Sequence, residues 1–329
     1  MLRRPLTATA LGAASVLLLA GCAASGADAA DGRIDVLAST NVYGQIAEVV
    51  GGDHVDVTSI IHSAAQDPHS YEASARDQLA VSRADLIVEN GGGYDAFVDA
   101  LIQATGTDAP VITAAELSPH WSGDAHDTHA THGDAAQEET AHDDAADGHG
   151  HDHVEGFNEH VWYDLHTTSA VADEIAHQLS EIDPGGADGY STRASDFTAS
   201  VESLEASLAQ LAATHGGTDI FVTEPVPLYL TEEAGLVNTT PDAFSEAVEE
   251  GQDVPPATLL EALGLLRAGH AKAVIVNSQT GGVETDAVIA EAKDAGIPVL
   301  EFSEVLPDGL TYVEWMQQNI DALTRALGS

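Results

Sequence analysis

Residues 187–214 place Phe197, Val201, Leu204, Leu208 and Leu211 three or four positions apart, with polar residues between them. That spacing predicts one amphipathic helix of about seven turns, roughly 40 Å long at the usual rise. Gly216-Gly217 stops it. A helix of that length cannot sit inside one small core, so it must link or brace two bodies.

The segments on either side support this. From Arg33, β-rich runs alternate with helical ones: strands at 34–38, 55–61, 85–89 and 110–113, and helices at 42–50, 74–82 and 95–104. The rhythm returns after the long helix, with strands at 219–223, 273–277 and 298–302 and helices at 257–268, 284–295 and 312–327. Such alternation predicts parallel sheets covered by helices on both faces. The expected fold class is therefore α/β, with two lobes of parallel sheet flanked by helices and joined by one long rigid helix. The expected domains are a leader at 1–21, a stalk at 22–32, a first lobe at 33–186, the linking helix at 187–214 and a second lobe at 215–329.

The leader is specific. Arg3 and Arg4 precede an apolar run at 11–20 that is too short to span a membrane, and Leu19-Ala20-Gly21-Cys22 has the form of a bacterial lipobox. Cleavage there would leave Cys22 to carry a lipid, anchoring an exported protein to the outer face of the cell membrane. Cys22 is the single cysteine, so the chain can form no internal disulfide and no cysteine-based zinc site. The small, polar residues after it read as a flexible stalk.

Charge narrows the partners. Lys and Arg total 10 against 54 Asp and Glu, a formal net charge of -44. Such a surface repels nucleic acid and anionic lipid and attracts cations. Residues 118–156 concentrate the effect, holding eight of the 16 histidines without apolar periodicity. His120, His126, His129, His132, His142, His149, His151 and His153 lie among aspartates. Imidazole suits Zn²⁺, Cu²⁺ and Ni²⁺ rather than Ca²⁺ or Mg²⁺. A flexible tract must be ordered at each binding event, so these sites are expected to be weak and exchangeable.

A tighter site is expected where histidines follow strands. His69, in Asp67-Pro68-His69-Ser70-Tyr71-Glu72, comes between a strand and a helix, at the end of an open sheet where ligands bind. His160, in Asn158-Glu159-His160-Val161-Trp162-Tyr163-Asp164, follows the histidine-rich tract directly.

These runs, with Asn41-Val42-Tyr43, Val50-Gly51-Gly52-Asp53 and Ala84-Asp85-Leu86-Ile87-Val88-Glu89-Asn90-Gly91, resemble the zinc and manganese solute-binding proteins of ABC importers. The resemblance covers about 34–325, and a histidine-rich loop in this position is typical of the zinc branch. It implies a metal held in the cleft between two lobes by four ligands. His69 and His160 match the first two. Glu304, in Phe302-Ser303-Glu304-Val305-Leu306, stands where the family more often has Asp. At the third position zinc members often have His, but no His occurs between His215 and His270. Glu224 is the first candidate there, with Asp242 and Glu246 behind it. Two histidines and two carboxylates would be less exclusive for zinc and would admit Mn²⁺ or Fe²⁺ more readily.

The resemblance thus implies a monomeric carrier that captures Zn²⁺, with Mn²⁺ possible, and passes it to a membrane permease and its ATPase. A zinc enzyme fits less well, because no His-Glu-x-x-His stretch is present. A sugar- or peptide-binding lipoprotein would want more aromatics than the 5% here. An adhesin, a role ascribed to some relatives of such proteins, leaves no separate mark in the sequence.

Overall fold

The computed structural model describes residues 32–122 and 156–328. The first sheet is built from β1 (Ile34–Thr40), β2 (Val55–Ile61), β3 (Leu86–Glu89) and β4 (Val111–Thr113), in the order β2-β1-β3-β4 and all parallel. In β1 every residue but Asp35 is buried, as expected for a central strand covered on both faces. Helices α1 (Asn41–Gly51), α2 (Ala75–Val81) and α3 (Phe97–Thr105) form its crossovers. A capping box between Ser74 and Asp77 starts α2, and left-handed Gly106 ends α3.

The chain then enters α4 (Leu165–Ile182) and the long α5 (Ala187–His215), which matches the linking helix expected at 187–214 to within a residue. All five apolar residues of the predicted stripe are buried. The second sheet repeats the first, with β5 (Asp219–Val222), β6 (Val237–Asn238), β7 (Val274–Asn277) and β8 (Val299–Phe302) in the order β6-β5-β7-β8, again all parallel. Helices α6 (Leu228–Glu233), α7 (Asp242–Glu249), α8 (Pro256–Arg267) and α9 (Val283–Ala295) accompany it, and α10 (Tyr312–Leu327) closes the chain. The elements α4, α6, β6 and α7 are not among those expected from the sequence.

The linking helix is not an exposed rod. Its buried stripe belongs to one apolar cluster that includes Ile34 and Val36 of β1, Ile220 and Val222 of β5, and Ile320 and Leu323 of α10. Arg193 ties α5 to the end of α1 by donating to the carbonyls of Val50 (2.6 Å) and Gly51 (2.9 Å). These are carbonyls at the negative end of the α1 dipole, which favours a cation. The last segment also crosses between lobes. Tyr312 N–H donates to Gln45 Oε1 at 3.0 Å, and Tyr312 OH donates to the Trp162 carbonyl at 2.7 Å. Asn41 exchanges two hydrogen bonds with the Leu306 backbone at 2.8 and 3.0 Å.

Each sheet has one strand with neighbours added in opposite directions, β1 and β5. In open α/β sheets the crevice at the carboxyl ends beside such a strand is where ligands sit. Residues just past β2 and β3 in one lobe, and past β5, β7 and β8 in the other, therefore line that crevice.

Candidate metal centre

His69 sits in the turn after β2. Asp67 fixes that turn, its Oδ1 accepting from His69 N–H at 3.0 Å and its Oδ2 from the Ser70 hydroxyl at 2.6 Å. The imidazole is only 14% exposed. His160 is 1% exposed and precedes a short 3-10 turn at Val161–Tyr163. Asn158 orients it. The Asn158 amide nitrogen donates to the Pro225 carbonyl at 3.0 Å, so its Oδ1 faces His160 Nδ1 at 2.7 Å. Nδ1 must then be the protonated nitrogen, and Nε2 keeps its lone pair for a ligand.

Glu224 and Glu304 lie just past β5 and β8, each 4% exposed. Asn277, the last residue of β7, bridges them, its Nδ2 donating to Glu224 Oε2 at 2.9 Å and to Glu304 Oε1 at 2.5 Å. Thr280 donates to Glu224, and Gln279 Oε1 accepts from the backbone N–H of Glu304 (2.7 Å) and Val305 (3.0 Å). The side chains that donate to the two carboxylates are neutral, which makes a cation the natural counter-charge in so dry a place.

Tyr94 brings the two groups together. Gly91, Gly92 and Gly93 all have positive φ, and a Cβ on Gly91 would come within 2.3 Å of Thr113. This three-glycine turn after β3 directs Tyr94 into the cleft. Its ring meets His69 edge-on at 5.0 Å and His160 at 5.9 Å, while its hydroxyl donates to Glu304 Oε2 at 3.0 Å. The two imidazole centroids are 6.4 Å apart.

Burial sets the electrostatics. It pushes the Glu304 carboxyl up to about 7; bonds from Asn277 and Tyr94 oppose the rise, and the charges of Glu224 and Asp67 add to it. Burial also raises Glu224, against bonds from Thr280 and Asn277. Both carboxyls thus hold protons more firmly than usual, a burden that a divalent cation would relieve. Two imidazoles and two carboxylates would make a donor set suited to Zn²⁺, Mn²⁺ or Fe²⁺.

Of the residues expected from sequence, His69, His160 and Glu304 gather round Tyr94, and Glu224 joins Glu304 through Asn277. Asp242 and Glu246 are exposed on α7. His120 packs against Tyr229 with the rings tilted and their centroids 5.1 Å apart. His126, His129, His132, His142, His149, His151, His153 and Cys22 lie outside the described residues. Tyr94, Asn277, Asn158 and Glu159 are not among the expected site residues. Glu159 adjoins His160 in the motif, and a tyrosine after three glycines is a weak signal; nothing in the sequence marks Asn277.

A family model described as the periplasmic zinc-uptake complex component A, ZnuA, matches residues 36–326. The chain belongs to the ZnuA family. The manganese-binding lipoprotein MntA of Bacillus subtilis is 26% identical over 94% of this chain and 95% of its own length. The manganese ABC transporter substrate-binding lipoprotein PsaA of Streptococcus mitis is 25% identical over 95% of this chain and 96% of its own. Among solved structures, the periplasmic zinc-binding protein TroA of Treponema pallidum superposes with a TM-score of 0.70 at 18% identity, covering 90% of this chain and 99% of TroA. As a ZnuA-family member the chain is a metal-binding substrate-binding protein of an ABC importer and not an enzyme. No described helix is long and apolar enough to cross a membrane.

Proposed function

We propose that the chain captures a divalent transition metal between its lobes with His69, His160, Glu224 and Glu304, and delivers it to a membrane permease driven by an ATPase. One observation carries this reading: a half-buried imidazole, a buried imidazole and a buried carboxylate converge on Tyr94, and Asn277 links that carboxylate to a second one. Zn²⁺ is the tightest cargo, because it stands above Mn²⁺ and Fe²⁺ in affinity for most nitrogen–oxygen sites. The histidine-rich tract, which favours the same metals, collects ions and holds them weakly. A lipid on Cys22 keeps the carrier on the outer face of the membrane, as the lipoprotein names of its relatives suggest.

A second reading has one specific observation in its favour. The third donor is Glu224 rather than a histidine, which hardens the site towards Mn²⁺, the metal in the names of MntA and PsaA. Metal analysis of protein from cells grown with equal zinc and manganese, followed by chelator competition, separates the two. One equivalent of tightly held zinc supports the first reading, and retained manganese supports the second. His69→Ala and His160→Ala should each weaken the site about 10- to 1000-fold, since each removes one of about four ligands. Unchanged affinity in both variants would refute the site itself.

A further inference from the structure

Among the described residues, one set of three metal-ligating side chains has its donor atoms within 4.8 Å of one another: His69, Glu159 and His160. Glu159 is not in the ligand set proposed above. We propose that Glu159 is a metal donor, and that the ion is first gripped by this N-terminal-lobe trio before the second lobe's carboxylates engage. The inference rests on the cleft being the cargo site and deepens that reading.

Three features of Glu159 support it. It is 2% exposed, in a low-dielectric place where a cation attracts a carboxylate strongly. Its Oε1 is 3.5 Å from His69 Nε2. Two ligands at about 2.1 Å from one tetrahedral ion stand about 3.4 Å apart, so the pair already has the spacing of a coordination edge. Its backbone is also held still: the Asn90 amide donates to the Glu159 carbonyl at 2.9 Å, and Tyr43 donates to the oxygen of that amide. A donor on a fixed backbone costs little to organise.

The second lobe differs. Glu224 and Glu304 are occupied by Asn277, Thr280 and Tyr94, and neither belongs to the trio. Those bonds must rearrange before both carboxylates can ligate, whereas the donor atoms of the trio already lie within 4.8 Å of one another. Adding Glu159 to the other two carboxylates would give a bound divalent ion more negative charge than it carries, so one carboxylate can leave when the ion is released.

The test uses full-length protein and Co²⁺, whose visible absorption reports coordination number. Glu224→Gln/Glu304→Gln should still bind one Co²⁺, about 100- to 1000-fold more weakly than wild type. Adding Glu159→Gln should abolish that residual binding, while Glu159→Asp restores part of it. In the otherwise wild-type chain, Glu159→Gln should weaken Co²⁺ about tenfold and change the absorption band, with circular dichroism unchanged. Loss of all binding in the double variant would overturn the trio. So would an unchanged Kd and spectrum on adding Glu159→Gln. Failure of the underlying site is distinguishable, because His69→Ala and His160→Ala would then bind as wild type whatever Glu159 does.

Discussion

Replacing Glu304 with glutamine should stabilise the metal-free protein at neutral pH while destroying its tight metal site. Burial raises the Glu304 carboxyl from an ordinary 4.5 to about 7. Between those values the folded state holds a proton that the unfolded state has lost. Its contribution is therefore fully present below about pH 4.5 and is lost as pH rises through about 7. The displacement corresponds to about 3 kcal/mol at pH 8 and only about 1 kcal/mol at pH 5. Glutamine is the nearest isostere of the neutral acid. Its carbonyl can still accept from Asn277, and its amide can donate to the Tyr94 hydroxyl, which needs only to rotate. Urea unfolding of both proteins after exhaustive chelation, from pH 5 to pH 8, measures the difference. The variant should gain about 3 kcal/mol on wild type at pH 8 and little at pH 5. With metal at a level that fills the wild-type site but not the weakened one, the order should reverse, because binding to the native state adds stability in proportion to how far the metal exceeds its Kd. A variant no more stable than wild type at pH 8 would show that Glu304 ionises without penalty, refuting the claim that a buried, uncompensated carboxylate awaits a cation.

Three further outcomes are expected. Arg193→Ala should cost about 2–3 kcal/mol of stability, because two partly buried backbone carbonyls lose a charged donor, yet leave metal Kd unchanged; chemical denaturation and chelator titration check the two halves. Deleting residues 123–155 should lower total zinc stoichiometry and keep one tight site, as read by metal analysis after dialysis. Cys22→Ser should move the protein from the membrane to the soluble fraction with metal affinity intact, since a surface of this charge has no attraction to an anionic bilayer.

The strands and most of the crossover helices were legible because short, continuous β-rich apolar runs alternate with segments of helical period along the chain. α4 was harder. After Leu165 it runs His166-Thr167-Thr168-Ser169 close to the histidine-rich tract, and its other buried apolar positions, Val171, Ala172, Ile175, Ala176 and Leu179, come only later. α7 is too short and too acidic for its period to show. The histidines were findable for a related reason: outside the rich tract only eight remain, and two stand in recognisable motifs. Carboxylates offer no such contrast. Glu224 and Glu304 are two among 54 acids, and what separates them from Asp242 and Glu246 is burial, which depends on the assembled sheets. Asn277 and Tyr94 matter through partners far away in sequence, so local pattern could not identify them.

The single apolar cluster threaded by α5 limits how this molecule can be turned into an instrument. Fluorescent proteins fused at opposite ends report a ligand only if two bodies swing apart and together. Here, packing from Ile34 through Leu204 to Leu323 binds both halves to one strut. A probe of metal arrival belongs inside the cleft instead. Trp162 already stands there, its ring 5.2 Å from His160 and 4.7 Å from Tyr94, close enough for its own emission to register the event.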